Sequence, residues 1–326
     1  MLKKITLIGL LITFISCEQK TNYTYLKGLA FGTTFNIKYQ DNLNRDLTKT
    51  VDSLIRSVNK SLSTYDKTSD ISRINAGEKT IIVDDKFIEV YTKSRRIFDE
   101  TDGVFDPTIG VLVNAWDFGP EKKIKKLDST KVKELMQWVG FDKVHLQHNK
   151  IVKEYANTYF DFNAIAKGYG IDIIGRYFEA NNIQNYMIEI GGEIRARGKN
   201  PSNLDWNIEI ENPNFDGTQS SKKAVRLENE SMATSGTYRK FKVDENGEKY
   251  AHILNTKTGY PAKSNLLSAT VIGNLDCADV DGYATTLIAM GLEKSKKFLK
   301  NHPELTVFLI YSDKNGNLKT YQTDSF

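Results

Sequence analysis

Asp161-Phe162-Asn163-Ala164-Ile165-Ala166-Lys167-Gly168 reads as a turn from a strand into a helix, and the elements downstream of it decide the fold. Apolar spacing predicts a helix from about Ala164 to Ala180. Strands are predicted at Tyr186–Ile190, Trp206–Glu211, Leu267–Ile272 and Thr306–Tyr311, with a helix over Ala278–Met290 closed by Gly291. These strands are short and joined by turn-rich segments instead of regular crossovers. The expectation is therefore an α+β fold of antiparallel sheets with packed helices, not a doubly wound parallel sheet.

Working toward the N-terminus, Gly28 to Tyr39 alternates apolar and polar residues and reads as one strand interrupted at Gly32-Thr33-Thr34. Leu47, Val51, Leu54, Ile55, Val58 and Leu62 follow helical spacing. A second helix runs through Phe87 and Phe98 to a stop near Asp102-Gly103, and a third spans Lys131–Val139 with Gly140 as its terminal glycine. No internal repeat or linker divides the chain, so residues 27–326 are read as a single catalytic domain.

Lys3 and Lys4 precede an uncharged stretch from Ile5 to Ser16. A basic start and an apolar run of about a dozen residues form a secretory signal, too short for a permanent membrane helix of about 20 residues. The run ends in Phe14-Ile15-Ser16-Cys17, which resembles a bacterial lipobox with Phe14 where Leu is usual. Residues 1–16 are thus read as a signal peptide, Cys17 as the lipidated (palmitate-bearing) residue and 17–26 as a tether. The alternatives are a plain secretory signal with an incidental cysteine, or an unprocessed anchor. With Cys17 acylated, Cys277 stands alone and reads as a small buried hydrophobe at a helix start. The balance of 45 Lys+Arg against 41 Asp+Glu is too even for a nucleic-acid partner.

The chemistry-bearing strings come in order along the chain. Asp281 and Thr285, four apart on a helix, share one face, so a carboxylate and a hydroxyl can meet one small cation. Oxygen donors suit Mg²⁺ or Ca²⁺ rather than zinc or copper. The plainer reading is a carboxylate complementing a helix dipole beside a buried threonine. At Asp161–Gly168, a helix N-terminus attracts anions and Lys167 adds a point charge, while small Ala164 lets its carbonyl approach a metal; the plainer reading is an N-capped helix with a surface lysine. Glu189-Ile190-Gly191-Gly192-Glu193 and Ala233-Thr234-Ser235-Gly236-Thr237-Tyr238 supply backbone N–H groups able to hold anions, or are simply tight turns. His252, one of four histidines, lies beside Asn255 and the Thr258-Gly259-Tyr260-Pro261 turn, where an imidazole can act as a base or merely as a hydrogen-bonded structural residue. G-x-G-x-x-G, H-E-x-x-H and G-x-S-x-G motifs are missing from the sequence, and Gly192–Lys199 fails the P-loop spacing.

Taken in series, Gly32-Thr33-Thr34-Phe35, Leu62-Ser63-Thr64-Tyr65, Ser69 to Asn75, Gly103-Val104-Phe105-Asp106-Pro107-Thr108, Asp161 to Gly168, Ile190 to Glu193, Ala233 to Tyr238, His252 to Pro261 and Asp281 to Thr285 run in the order found in the ApbE family, which the chain resembles over nearly its whole exported length. The resemblance implies a T-fold-like catalytic domain, FAD:protein FMN transferase activity and frequent lipoprotein status. It implies that Mg²⁺ binds the FAD pyrophosphate while a Thr or Ser hydroxyl of an acceptor attacks the FMN-side phosphorus and AMP leaves. Asp281, Thr285 and the Ala164 carbonyl match the family's metal ligands. Phe31, Tyr65, Val104, Phe105, Asp106, Asp161, Lys167 and Ile253 match its FAD-contact positions, and His252 matches its proton-transfer histidine. Phe31 stands where Met is common, and Gly282-Tyr283 interrupt the metal motif with unusual residues. Acceptors of the family carry a Ser-Gly-Ala-Thr or Ser-Gly-Ala-Ser string. This chain has none, which favours another exported protein as acceptor, with the enzyme on the periplasmic face of the inner membrane. FAD hydrolysis to FMN and AMP, and non-catalytic flavin carriage, are the alternatives.

Overall fold

The computed structural model describes residues 22–121, 124, 127–213, 220–237, 241–243 and 249–326. The signal peptide, Cys17 and Tyr238 lie outside the described residues, as do Lys122, Lys123, Lys125 and Lys126.

Two strands, β1 (Tyr23–Ala30) and β2 (Thr33–Gln40), open the chain as an antiparallel hairpin. Alternation alone predicts one interrupted strand here. Phe31 and Gly32 adopt φ values of 52° and 77°, and two successive left-handed residues reverse a chain whose flanking strands twist right-handed. The hairpin also begins at Tyr23, inside the stretch assigned to the tether.

A helical layer comes next: α1 (Thr48–Leu62), α2 (Asp70–Asn75), α3 (Asp85–Glu100), α4 (Gly110–Ala115) and α5 (Ser129–Met136). Asp84 and Ser69 cap α3 and α2 through side-chain acceptance from the third residue beyond. The last of these helices ends earlier than the spacing suggests. Gln137 is its cap, and Gly140 (φ 140°) instead opens the 3₁₀ turn Phe141–Lys143. A small hairpin, β3 (Val144–Gln147) with β4 (Lys150–Lys153), leads to the Asp161 turn.

From there the order is α6 (Ala166–Ala180), β5 (Asn185–Ile190), β6 (Glu193–Arg197), β7 (Trp206–Glu211), β8 (Ser221–Leu227), β9 (Ser231–Gly236), β10 (Phe241–Val243), β11 (Lys249–Ala251), β12 (Leu266–Gly273), α7 (Cys277–Met290), α8 (Leu292–Leu299), β13 (Thr306–Ser312) and β14 (Leu318–Gln322). Eight strands join in one sheet of order β1-β2-β5-β6-β9-β12-β13-β14, antiparallel at every described pair. The α+β antiparallel expectation therefore stands.

Helices α1, α6 and α7 lie over one face of this sheet, and the β7–β8 hairpin covers part of the other through Trp206, Ile210 and Leu227. Nearly every residue from Cys277 to Ile288 is buried, as expected for a helix enclosed on all sides. It packs on β9 and β12 beneath, on α6 alongside and on α3 above. Two close approaches make this possible. A Cβ on Gly168 would sit 2.4 Å from the Cys277 carbonyl oxygen, and one on Gly282 would meet Ile97 at 2.7 Å.

Candidate functional site

A cleft of about 1310 Å³ opens between the α6–α7 junction, the β9 end of the sheet and the loops after α1 and α3. That is roomier than the roughly 300–1,000 Å³ of ordinary small-molecule sites and suits a dinucleotide. Phe31, Tyr65, Val104, Phe105, Asp106 and Asp161 line it, as do Ala164, Lys167, His252, Ile253, Asp281 and Thr285. Every sequence-predicted site residue within the described residues thus borders one cavity.

The floor is charged and rigid. Asp281 is 3% exposed, and its Oδ2 accepts from the Gly168 N–H at 3.1 Å, which ties α7 to the first turn of α6. Burial pushes the Asp281 carboxyl up, the nearby Glu193 carboxylate pushes it further, and Lys167 only partly offsets both, leaving it at about 8. Lys167 forms an ion pair with buried Glu193 while 28% of its side chain stays open. Burial disfavours its charge, but Glu193 and Asp281 outweigh that and raise its pKa. Across the floor, the Thr285 hydroxyl lies 2.9 Å from that of Ser235 on β9.

This donor set fits a hard cation. Two buried carboxylates, Asp281 and Glu193, lie near one ammonium, and the repulsion between them that helps push the Asp281 carboxyl up is what a divalent ion would relieve. Among the described residues no group of three or more His, Cys, Asp or Glu side chains could hold a metal. The set available is one carboxylate, a hydroxyl and a backbone carbonyl, which suits Mg²⁺ completed by phosphate oxygens and water rather than an all-protein cage.

The lip is more exposed and aromatic. Tyr65 is 60% exposed; partial burial and the neighbouring Asp161 raise its phenol pKa. Phe31 packs on α6, where a Cβ on Gly170 would meet its ring at 2.4 Å. Asp161 holds its loop by accepting from the Asn163 N–H at 2.8 Å, and its own N–H donates to the Pro107 carbonyl. Asn75 clamps the segment from the other side, exchanging both amide bonds with the Phe160 backbone. His252 packs edge-on to Phe118 at 6.2 Å.

Asp106 borders the cleft, but its carboxylate is engaged elsewhere. It accepts from the Thr108 N–H and hydroxyl and from the Phe141 N–H. Burial lifts it to about 6, although those hydrogen bonds act to lower it. The side chain fastens the loop, so any ligand contact at this position falls to the backbone.

The two unusual residues of the metal motif face away from the cavity. Tyr283 bonds Glu100 and Arg96 on α3, and Gly282 makes room for Ile97, so neither disturbs the Asp281–Thr285 face. Glu193 and Ser235 line the cleft, and Gly170 backs Phe31 from α6, but none of the three carries a side-chain role from sequence. Glu193 and Ser235 sit in strings that also read as turns. Their partners, Lys167 and Thr285, are 26 and 50 positions away, and nothing local announces the pairing.

The sequence profile of the ApbE family matches residues 31–309. The FAD:protein FMN transferase of Haemophilus influenzae is 35% identical, with 95% of this chain and 92% of that protein covered. The structure of flavin transferase ApbE from Vibrio cholerae superposes with a TM-score of 0.84 at 32% identity, over 94% of this chain and 98% of that one. Apo flavinyl transferase ApbE from Pseudomonas stutzeri gives 0.83 at 28% identity, over 94% and 96%. The protein belongs to the ApbE family.

Proposed function

We propose that this chain is an FAD:protein FMN transferase. It moves the FMN part of FAD onto a Thr or Ser hydroxyl of an acceptor protein and releases AMP. The observation that carries the reading is the convergence on one dinucleotide-sized cleft of a buried acidic floor, a lysine and an aromatic lip from separate parts of the chain.

In this reading the acceptor hydroxyl oxygen forms the new ester bond to the FMN-side phosphorus, and the bond from that phosphorus to the AMP oxygen breaks. Asp281, Thr285 and the Ala164 carbonyl would hold Mg²⁺, which when bound offsets the pyrophosphate charge that otherwise repels the incoming oxygen. Lys167, kept charged by Glu193 and Asp281, is positioned to stabilise charge on a phosphate oxygen. Phe31 and Tyr65 offer flat surfaces for the ring systems of FAD. His252, bordering the same cleft, is the side chain suited to accept the hydroxyl proton; a phosphate oxygen is the competing acceptor.

The N-terminal pattern supports a lipid anchor at Cys17 and export, and the family resemblance supports an acceptor of Ser-Gly-Ala-Thr/Ser type, met on the periplasmic side of the inner membrane. No helix among the described residues is long and apolar enough to cross a membrane. Incubating the protein with FAD, Mg²⁺ and an acceptor bearing that string, with in-gel flavin fluorescence and mass spectrometry as readouts, tests the proposal. A flavinylated acceptor with equimolar AMP is expected. Free FMN and AMP with an unlabelled acceptor would mean hydrolysis, and flavin binding without AMP would mean carriage.

A further inference from the structure

Helix α7 carries Asp281 and Thr285, yet the residue at its own N-cap position does not cap it. Asp276 makes no side-chain hydrogen bond to the first turn. Its carboxylate is committed outward, to Lys93 at 2.9 Å, Arg176 at 2.7 Å and Arg195 at 2.9 Å. The free N–H groups of α7 are satisfied from another helix. Asp172, on α6 and fully buried, accepts from the Cys277 N–H at 2.8 Å and from the Ala278 N–H at 2.9 Å. Its charge is balanced by the almost fully buried Arg195 of β6, 2.7 Å away.

One helical turn before Asp172 on the same face of α6 stands Gly168, whose N–H meets Asp281. The two helices are therefore pinned at two points. Asp172 holds the start of α7, and Gly168 receives the carboxylate one turn further along it. Between these pins the backbones approach so closely that a Cβ on Gly168 finds the Cys277 carbonyl at 2.4 Å and the Ala278 nitrogen at 2.7 Å. The proposed metal donors are split across this junction, with the Ala164 carbonyl just before α6 and the Asp281 and Thr285 side chains on α7.

We infer that Asp172 is a positioning residue of the proposed metal site: by capping α7 from α6 it sets the register of the two helices and so the separation of the donors each contributes. The inference rests on the metal reading given above. Asp172 does not line the cleft, so it reaches neither flavin nor phosphate and acts only through the helix it caps. Its pairing with Arg195 gives the cap a fixed direction, because Arg195 is itself held by Tyr186 and Glu179.

The test uses the FAD-loaded protein and Mn²⁺ as the probe metal, with free Mn²⁺ tracked by its EPR signal, alongside Mg²⁺ titrations of the transfer rate. Asp172→Asn should raise the Mn²⁺ dissociation constant and the Mg²⁺ midpoint together by on the order of 10-fold. FAD binding without metal, measured by flavin fluorescence, should stay within about twofold, since no flavin contact is touched. Because Asp172→Asn removes the most deeply buried of the three carboxylates paired with Arg195, the double variant Asp172→Asn/Arg195→Met serves as the second arm. It removes both ions, loses the same anchor and should show the same metal shift.

Wild-type metal binding in either folded variant overturns the positioning role. Failure of both variants to fold also overturns it, assigning Asp172 to global stability alone. Asp281→Ala separates this inference from the reading beneath it. If that variant binds Mn²⁺ like wild type, the metal site itself is wrong. If it loses Mn²⁺ while the Asp172 variants keep it, only the positioning role falls.

Discussion

The floor and the lip of the cleft are built on different principles. The floor is secondary structure: two helices and a strand end, with Asp281, Glu193 and Lys167 locked among buried partners. The lip is loop and turn: Tyr65 stands largely in solvent and Phe31 rides a left-handed hairpin turn. The difference divides the labour. In the proposed function, the groups that would meet phosphate charge sit on packed secondary structure, and those that would meet a ring and a protein acceptor sit on exposed loops and turns.

That division is most severely tested at Asp281. Replacement by Ala removes the one carboxylate of the proposed donor set, and transfer to an acceptor should fall by at least about 100-fold. Near-normal transfer rates would move the chemistry away from the floor. Gly168→Ala attacks the same region sterically. Its Cβ meets backbone that cannot rotate away, so thermal or denaturant unfolding should show a loss of about 1–3 kcal/mol, with activity falling alongside.

At the lip the consequences should be milder. Tyr65→Ala removes a stacking surface without disturbing the core, and a rise in KM for FAD of roughly three- to tenfold is expected with an unchanged Tm. Tyr65→Phe should restore it. A collapse in kcat for Tyr65→Ala would contradict the separation of lip from floor.

The smallest effect concerns Asp106, which joins lip loops to the core. Burial raises its folded pKa from 3.8 to about 6. Between those values the folded state holds a proton that the unfolded chain has released, so this residue's contribution to stability falls as pH rises from about 4 to 6 and is flat above. In Asp106→Asn that component disappears. The stability of the variant relative to wild type should therefore increase over the same interval in denaturant titrations, and a parallel pH dependence in the two proteins would refute the shift.

Legibility in the sequence obeys the same division. Helices α6 and α7 and strands β5, β7, β12 and β13 lie within a residue or two of where periodicity puts them, because each buries a continuous stripe. The first hairpin reads as a single strand, since only the φ values of Phe31 and Gly32 distinguish a reversal from a bulge. Helices α2 and α4, at six residues each, are too short to display a period. At the site, the residues carried by recognisable strings border one cleft. Glu193, Ser235, Gly170 and Asp172 do not announce themselves, because each acquires meaning only from a partner brought across the fold. The engagement of Asp106 in its own loop is hidden for the same reason.

The central claim is that a divalent ion gripping the linked phosphates of FAD sits at the α6–α7 junction. Crystals grown with FAD and Mn²⁺ test it through anomalous scattering. The account predicts a manganese peak bounded by the Asp281 carboxylate, the Thr285 hydroxyl and the Ala164 carbonyl, touching the pyrophosphate. Manganese bound elsewhere, or FAD seated with its phosphates away from Asp281, would contradict it.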